Sequence, residues 1–413
     1  MLPRVAMSGS SWESIRKMLG SKYQIDHIVV CYDPRKNWAW SENTVLSEIL
    51  LVCTKRVPAT EFKTKVTYVY HRPRSSLEAK ILAARIIEAQ NTTDLGEERV
   101  FTVFDRIRLG QKTVASCYSI PQEILARQRN WNVCAGFASA YLSELAWRLV
   151  DGNMFLGRFL PLVSLNSLVL RKQITGRKKV RTELMIGFDV HTFQRDRRDH
   201  GGMLLDVLQG ANVETLNRLE VQPNTRMAFA SDSQISSRMS NFLVAGMARL
   251  WLNTVGLISV YCKKPAVSNT MWTVQLQPQP GIKLTDLYKL QVLWLNSTPG
   301  LLGFLALRQD SKGAFIQYKR EYLPLLKLLD TRNLNDEQLN RLLALYDELK
   351  NTAVKNLPGQ LEEALNREGF RHQLDTELLQ KLCPTIDNRL LLGIYRDLLN
   401  ETIIRIRSKK NDD

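Results

Sequence analysis

The first 56 residues alternate between two hydrophobic periodicities, and this alternation constrains the fold more than any other feature. Residues 24–32 (QIDHIVVCY) and 44–54 (TVLSEILLVCT) are short runs rich in Ile and Val, typical of buried strands. Residues 11–20 before them carry apolar side chains at helical spacing. A strand end, a helix and two strands predict an α/β sheet with helical cover. Since roughly half of a doubly wound sheet is absent, we expect it to lie upstream.

The remaining chain changes character twice. Residues 75–90 have the spacing of a helix, with Leu77, Ile81 and Ala84 on one face, and 91–98 is a polar linker. Short β-like runs with turns then continue to about residue 300, interrupted by helical stretches at 135–150 and 283–296. From 321 the pattern is helical. The predicted segments are a half catalytic sheet at 1–58, a helical linker at 59–98, a mixed α+β domain at 99–320 and a helical region at 321–413.

Three helix starts have capping signals. Ser10 followed by Glu13 fits a capping box, Ser76 is placed to cap the helix at 75–90, and Asn335 has Gln338 three residues on. We therefore expect helices to begin close to these positions.

The composition favours a folded protein with an anionic partner. The chain has 413 residues, of which 44% are hydrophobic and 24% charged, and its net charge is +16. Such a charge favours nucleic acid first and a membrane surface second, although a merely soluble basic protein remains open. Residues 290–307 are uncharged, but Asn296 and Pro299 identify them as buried core and not as a membrane span.

Cysteine and histidine are scattered. Six cysteines include no CxxC pair and five histidines are dispersed, so the sequence predicts no metal site and mostly buried, reduced thiols. No signal peptide is visible, because Arg4 and the polar run at 8–11 interrupt the early apolar stretch. A cytoplasmic location without membrane attachment is therefore expected.

Two segments resemble a known family. The segment LPRVAMSGSSWESIRKMLGSKYQIDHIVVCYDP with the later WSENTVLSEILLVCTK resembles the second half of the catalytic domain of site-specific N6-adenine DNA methyltransferases. The similarity is to the large restriction-modification type, and LWLNSTPGLLGFLALRQDSKGAFIQYKREYLPLLKLLD at 293–330 is similar to that family's target-recognition region. The resemblance implies an α/β fragment, the second half of a Rossmann-like methyltransferase sheet, followed by a target-recognition domain.

The family's two catalytic motifs are absent from the sequence. Members bind S-adenosyl-L-methionine in a glycine-rich turn and orient the target adenine amine with an NPPY-type motif, and neither occurs in these 413 residues. The amine is a poor nucleophile unless acceptors orient its lone pair toward the methyl sulfonium. We therefore assign no catalytic or cofactor-binding residue, and expect the chain to be inactive alone. It is expected to be a truncated or split methyltransferase whose upstream polypeptide completes the catalytic sheet.

Basic residues cluster between 158 and 198. Ten Lys or Arg occur there against Glu183, Asp189 and Asp196. The run RKQITGRKKVR at 171–181 predicts a basic β-hairpin, a shape that fits the DNA major groove. A solvated hairpin is the alternative. The predicted DNA-binding residues are Arg171, Lys172, Arg177, Lys178, Lys179, Arg181, Arg195, Arg197 and Arg198.

Other residues near the cluster are weaker candidates. The charged run at 194–202 is either a loop that orders on DNA or a set of paired surface charges. Trp38 and Trp40 are candidates for base stacking, with core packing as the alternative. His200 is interpreted as a surface histidine and not as a catalytic base. Asn296 is expected to satisfy backbone groups at a helix end.

The sequence thus predicts the duplex-DNA recognition portion of an N6-adenine methyltransferase from a restriction-modification or phage-defence system. Two alternatives stay open. One is a non-catalytic specificity subunit that docks a separate methylase or nuclease. The other is an RNA-binding protein, which the lack of an aromatic ribonucleoprotein motif disfavours.

Overall fold

A computed structural model describes most of the chain. The described residues are 1–31, 48–56, 61–70, 73–89, 99–104, 106–175, 180–187, 204–209, 217–229, 235–248, 250, 256–310, 316–387, 389–401 and 403–404.

Strands and helices are interspersed over the first 330 residues and helices follow. The strands are β1 Leu2–Pro3, β2 Tyr23–Cys31, β3 Glu48–Lys55, β4 Lys63–Val69, β5 Thr102–Val103, β6 Ile107–Leu109, β7 Lys112–Pro121, β8 Met154–Phe155, β9 Arg158–Phe159, β10 Leu162–Ser164, β11 Arg171–Thr175, β12 Val180–Leu184, β13 Leu204–Leu208, β14 Glu220–Val221, β15 Thr225–Ala228, β16 Ser240–Ala245, β17 Met247–Ala248, β18 Ser259–Ser268, β19 Met271–Thr273, β20 Gln309–Asp310, β21 Ile316–Gln317 and β22 Lys327–Leu329. The α-helices are α1 Glu13–Lys22, α2 Ser76–Glu88, α3 Gln122–Arg127, α4 Asn132–Ala135, α5 Ala140–Gly152, α6 Leu165–Leu168, α7 Leu284–Asn296, α8 Thr298–Ala306, α9 Asp336–Leu349, α10 Leu357–Leu365, α11 Gly369–Leu382 and α12 Arg389–Asn400.

The chain divides into two compact units. Unit 1 contains Met1–Asp151, Ala306–Gln317 and Asp397–Asp413, and unit 2 contains Gly152–Leu305 and Tyr318–Arg396. The expected mixture of sheets and helices with a helical C-terminal region is present. The predicted four-segment division stays a prediction.

Unit 1 is built on a seven-stranded sheet in which β3 lies between β1 and β2. The strand order is β1-β3-β2-β4-β7-β5, with β6 also paired to β7. β3 is antiparallel to both of its neighbours, whereas β2 and β4 are parallel. The strand runs predicted at 24–32 and 44–54 are therefore adjacent strands, and β1 stands at one end of the sheet.

The two faces of this sheet have separate cores. On one face, Ile25, Ile28 and Ile49 pack with Met7 and Trp131. On the other, Val29, Cys31 and Val69 pack with Leu82 and Ile86 of α2. Successive strand residues point to opposite faces, so the Ile and Val runs supply both cores.

Arg16, the arginine of the family-like IRKML segment, closes the turn between β1 and α1. Its buried guanidinium donates to the carbonyls of Ala6 at 2.8 Å and Gly9 at 2.9 Å, and also to the carbonyl of Arg129. The turn is tight, since a Cβ on Gly9 would lie 2.9 Å from the carbonyl oxygen of Val5. The conformation of the Ser/Gly turn is therefore fixed by the buried side chain of Arg16.

Several local predictions are corrected. Residues 63–69 of the predicted helical linker form β4, which lies inside the sheet. The N-cap of α1 is Trp12, with no side-chain cap hydrogen bond, so the Ser10 capping box is wrong. α2 is capped by Ser75, which accepts from the Glu78 N–H, instead of by Ser76.

The apolar face predicted for α2 points away from its core. Leu77, Ile81 and Ala84 are exposed, and the helix packs through Leu82 and Ile86. α2 therefore carries two apolar stripes, of which its own unit covers one.

Unit 2 packs α7 against a six-stranded sheet of order β15-β13-β18-β16-β19, in which β14 also pairs with β18. Asn296, at the end of α7, is buried. Its Oδ1 accepts from the Ile258 N–H at 2.9 Å, and its Nδ2 donates to the Ser259 carbonyl at 2.8 Å. The expectation that Asn296 satisfies backbone groups is confirmed.

The first α-helix of the C-terminal region begins at Asp336 and not near 321, because Lys327–Leu329 form β22. Asn335 and Gln338 form the predicted capping box at the start of α9. Within the part of the chain that the structure describes, no helix has the length and apolar character needed to cross a membrane.

Replacing Arg16 with Met is expected to destabilise unit 1 by about 3–5 kcal/mol, because the carbonyls of Ala6, Gly9 and Arg129 lose a charged donor in a site that excludes water. Arg85→Met is the matched control and should cost no more than about 0.5 kcal/mol, since Arg85 is exposed. Urea unfolding followed by circular dichroism measures both. Equal urea midpoints for the two variants would contradict the role of Arg16 in fixing the turn.

Candidate nucleic-acid interface

The predicted basic hairpin is a two-stranded antiparallel ribbon formed by β11 and β12. Arg171 lies opposite Leu184, Lys172 opposite Glu183 and Thr175 opposite Val180. The side chains of Arg171 and Lys172 are exposed. A ribbon of this kind has the width to enter a major groove, so the shape that the sequence predicted is confirmed.

The base of the ribbon is hydrogen-bonded to the chain that follows β19. The Leu170 N–H donates to the Gln275 carbonyl at 2.8 Å, and the Gln275 N–H donates to the Met185 carbonyl at 3.0 Å. The Gly187 N–H donates to the Thr273 carbonyl at 2.7 Å. Both ends of the ribbon are thus fixed to one extended segment of unit 2.

Arg238 fixes the end of β12, the second strand of the ribbon. Its buried guanidinium donates to the carbonyls of Leu184 at 3.1 Å and Ile186 at 2.8 Å, and it pairs with the carboxylate of Glu183. Thr273 in turn donates its hydroxyl to the Arg238 carbonyl at 2.7 Å. Glu183, which opposes the basic cluster in the sequence, is therefore paired with Arg238 at the base of the ribbon.

Arg171 has a defined position as well. Its Nη2 donates to the side-chain oxygen of Asn166, in α6, at 2.9 Å and to the Asn166 carbonyl at 3.3 Å. Both bonds are made by Nη2, and the guanidinium is exposed, so its other N–H groups can reach a ligand oxygen.

The other predicted site residues divide into two groups. Arg181 lies in β12, opposite Ile174. The following residues lie outside those that the structure describes: Trp38, Trp40, Arg177, Lys178, Lys179, Arg195, Arg197, Arg198 and His200. Contact with DNA stays a prediction for all nine basic residues, as does base stacking for Trp38 and Trp40.

The thiols are shielded. Cys31, Cys117, Cys134 and Cys262 are buried, and none of the six cysteines, all of which lie among the described residues, forms a disulfide. Burial raises the pKa of Cys262 to about 12, which keeps it in the unreactive thiol form at neutral pH. Among the described residues, no group of three or more His, Cys, Asp or Glu is placed to hold a metal ion.

Unit 1 contains a buried ionic cluster around Asp310. Its carboxylate accepts from Arg308 at 3.0 Å, from Arg4 at 3.1 Å and from Asn132 at 3.1 Å. Burial alone would raise the pKa of Asp310, but the guanidiniums of Arg308 and Arg4 outweigh it and hold that pKa below its ordinary value. The carboxylate therefore stays charged, and its two oxygens accept hydrogen bonds from these three side chains, so the cluster has a structural role.

A second buried carboxylate, in unit 2, behaves differently. Asp375 accepts from the Thr298 N–H at 2.6 Å, the Thr298 hydroxyl at 2.5 Å and the Tyr395 hydroxyl at 2.9 Å. Burial raises its pKa although Arg371 opposes the shift. These bonds join α8, α11 and α12, which gives the cluster a packing role.

Sequence reasoning missed Arg238. It stands in the short segment SSRMS, which has neither a periodicity nor a basic run to single it out. Its partners are 52 to 55 residues away in the chain. An isolated arginine between polar residues offers no signal that separates a buried anchor from a surface charge.

Comparisons with known proteins are sparse. No family model matches the chain, and no curated protein matches it. Among solved structures, a match is titled "Characterization and crystal structure of the type IIG restriction endonuclease BpuSI". It has a TM-score of 0.41 and 12% sequence identity, and covers 100% of this chain and 47% of that chain. This chain therefore spans about half the length of that enzyme, and a likeness at this TM-score carries no argument about its function.

Replacing Arg238 with Met is expected to open the ribbon locally. Two strand-end carbonyls and Glu183 lose their donor, so trypsin should cleave within β11 and β12 at least about tenfold faster than in the wild type. Arg226→Met is the control, because Arg226 is exposed and pairs with Asp206 outside the ribbon. Limited proteolysis with mass spectrometry measures the cleavage rates. An unchanged rate in Arg238→Met would refute the role of Arg238 in holding the ribbon.

Proposed function

We propose that this chain is the DNA-recognition portion of a site-specific N6-adenine DNA methyltransferase of a restriction-modification or phage-defence system. The observation that carries the proposal is the anchored basic ribbon, whose exposed Arg171 and Lys172 project from a base fixed by Arg238. In a chain of net charge +16, this ribbon supplies a rigid cationic element of major-groove width.

The family-like residues support the proposal because they have structural reasons to occur together. The LP pair forms β1, the SGSS turn follows it, and the arginine of IRKML closes that turn. Asn296 of LNSTPG ties α7 to the start of β18. A shared pattern of residues that all act within the fold is harder to reach by chance than a matching hydrophobic periodicity.

Among the described residues, the Ser/Gly turn after β1 leaves no room for S-adenosyl-L-methionine. The space at this turn is filled by its neighbours, since a Cβ on Gly9 would lie 2.9 Å from the Val5 carbonyl oxygen, 3.0 Å from the Val5 side chain and 3.3 Å from that of Gln309. Arg16 takes up the carbonyls of the turn. The donor-binding turn and the catalytic motif would therefore be contributed by a partner polypeptide, and we derive no chemical step in this chain.

The sheet of unit 1 offers that partner a place. Leu50 lies opposite Val29 in the β2–β3 register, so both point to the face under α2. Val29 is only 7% exposed, whereas Leu50 is 36% and Val52 is 40% exposed. This apolar strip on β3 adjoins β1 at the end of the sheet. A polypeptide that continues the sheet beyond β1 and places an apolar helix over Leu50 and Val52 would complete both the sheet and its cover.

The alternative is a non-catalytic specificity subunit. It would read DNA through the same ribbon and would need a docking face but no sheet partner. The exposed strip beside β1 favours the methyltransferase fragment, because a free sheet edge is ordinarily defended by charges or covered.

Duplex binding is expected to depend steeply on salt through the ribbon. Arg171→Gln and Lys172→Gln should each reduce the slope of log K against log salt by up to about 0.9, because each removes at most one phosphate contact. Arg341→Gln, an exposed change on α9, should leave the slope unaltered. Fluorescence anisotropy with a 30-base-pair duplex at several salt concentrations measures it. RNA that competes as well as duplex DNA would instead support an RNA-binding protein.

The purified chain is expected to transfer no methyl group from tritiated S-adenosylmethionine to unmethylated plasmid, whereas adding the polypeptide encoded immediately upstream should give activity. The double change Leu50→Lys with Val52→Lys should reduce that activity at least about tenfold, because charges would be buried under the partner. It should leave duplex binding intact. Ile15→Lys, equally exposed on α1, is the control. Activity of the chain alone, or full activity of the double variant, would refute the partner-completed sheet.

A further inference from the structure

A small hairpin in unit 2 presents an aromatic side chain to solvent. β8 and β9 are joined by the two residues Leu156 and Gly157, with Met154 opposite Phe159 and Phe155 opposite Arg158. Phe159 is 73% exposed, more than any other large hydrophobic side chain of the described residues. Single exposed apolar residues are common on protein surfaces, but Phe159 is an aromatic ring held two residues after a tight turn, where it is open to an external contact.

The hairpin is firmly based. Phe155 and Leu160 are buried, and the Leu160 N–H donates to the Asn153 carbonyl at 2.8 Å. The side chain of Asn153 donates to the Leu162 carbonyl at 2.9 Å. Phe159 therefore projects from a fixed support, which is what insertion of a side chain into a partner requires.

The turn itself is strained. Leu156 and Gly157 both have positive φ, 50° and 73°, the signature of a type I′ turn. Asn, Asp or Gly ordinarily occupies the first of these positions, and a leucine there is unfavourable. Strain of this kind persists where the surrounding structure enforces the conformation.

The neighbouring charge identifies the kind of partner. Arg158, next to Phe159 in the chain, is exposed as well, and the whole chain has a net charge of +16. Consecutive strand residues point to opposite faces, so the ring and the guanidinium leave the hairpin on different sides. In duplex DNA the ring would stack between bases while the guanidinium meets a phosphate of the backbone.

We propose that Phe159 is a wedge that enters the base stack of duplex DNA and fills the space that an extruded base leaves, with Arg158 on the adjacent phosphate. This inference rests on the proposed function, in which the target adenine must leave the helix. It adds the residue that holds the opened duplex apart.

The test uses the full-length chain and two duplexes of one sequence, intact or with a central abasic site. An abasic site is a preformed gap, so the wild type should bind that duplex roughly 5- to 100-fold more tightly, the range of one aromatic–base stack. Phe159→Ala should reduce the preference to about twofold or less, and Phe159→Trp should keep it. Arg158→Gln should weaken both complexes equally and reduce the salt slope by up to about 0.9.

Leu204→Ala is the control, because Leu204 is also an exposed apolar residue of unit 2; its abasic preference should match the wild type. A second readout is plasmid unwinding: relaxation by topoisomerase I with wild-type protein should shift the linking number, and Phe159→Ala should abolish the shift. Equal thermal unfolding of Phe159→Ala and wild type verifies that both are folded.

The outcomes separate the two proposals. Salt-dependent binding of both duplexes without abasic preference, or a preference that survives in Phe159→Ala, overturns the wedge and leaves the proposed function standing. Failure of the wild type to bind either duplex overturns both. In that case, a protein partner for Phe159 becomes the better explanation of its exposure.

Discussion

Both units depend on buried guanidiniums that end on main-chain carbonyls. Five arginines are buried among the described residues: Arg4, Arg16, Arg238, Arg308 and Arg371. Arg16 fixes the turn after β1, Arg238 fixes the base of the ribbon, and Arg308 donates to the Gly136 carbonyl. A chain with long irregular connections must satisfy many carbonyls away from helices and sheets. One guanidinium has five donors in a planar fork, so it can join several segments at once.

This use of arginine changes what the net charge means. Part of the +16 lies inside the protein, where it serves carbonyls and carboxylates and meets no ligand. Specificity for an anionic partner must therefore come from charges whose supports are fixed while their donors stay exposed. Arg171 and Lys172 satisfy that condition in unit 2. In the proposed DNA complex, the buried Arg238 would contribute by positioning, because a mobile ribbon would lose conformational entropy when it binds.

Much of this architecture could be predicted from local pattern. β2, the β11–β12 ribbon and the Asn335 cap were predictable because one residue type or periodicity determines each. β4 was not, because it contains Lys63 and Lys65 and places Thr64 and Thr67 in the interior. Its burial comes from the strands on either side, which no local window contains. Arg238 was beyond prediction for the same reason, and Trp38 and Trp40 lie outside the described residues.

The helix α2 shows where periodicity reaches its limit. Its two apolar stripes are of similar strength in the sequence, and only the fold shows that Leu82 and Ile86 face the sheet while Leu77 and Ile81 do not. A helix that is apolar on both sides normally lies between two layers. The same unit leaves Leu50 and Val52 uncovered on β3, and β3 pairs with the short strand at the end of the sheet. A specificity subunit with a single docking face would need one apolar patch at most. In the proposed methyltransferase fragment, a layer supplied by the partner polypeptide would cover Leu50 and Val52, and unit 1 would then form one part of a larger α/β core.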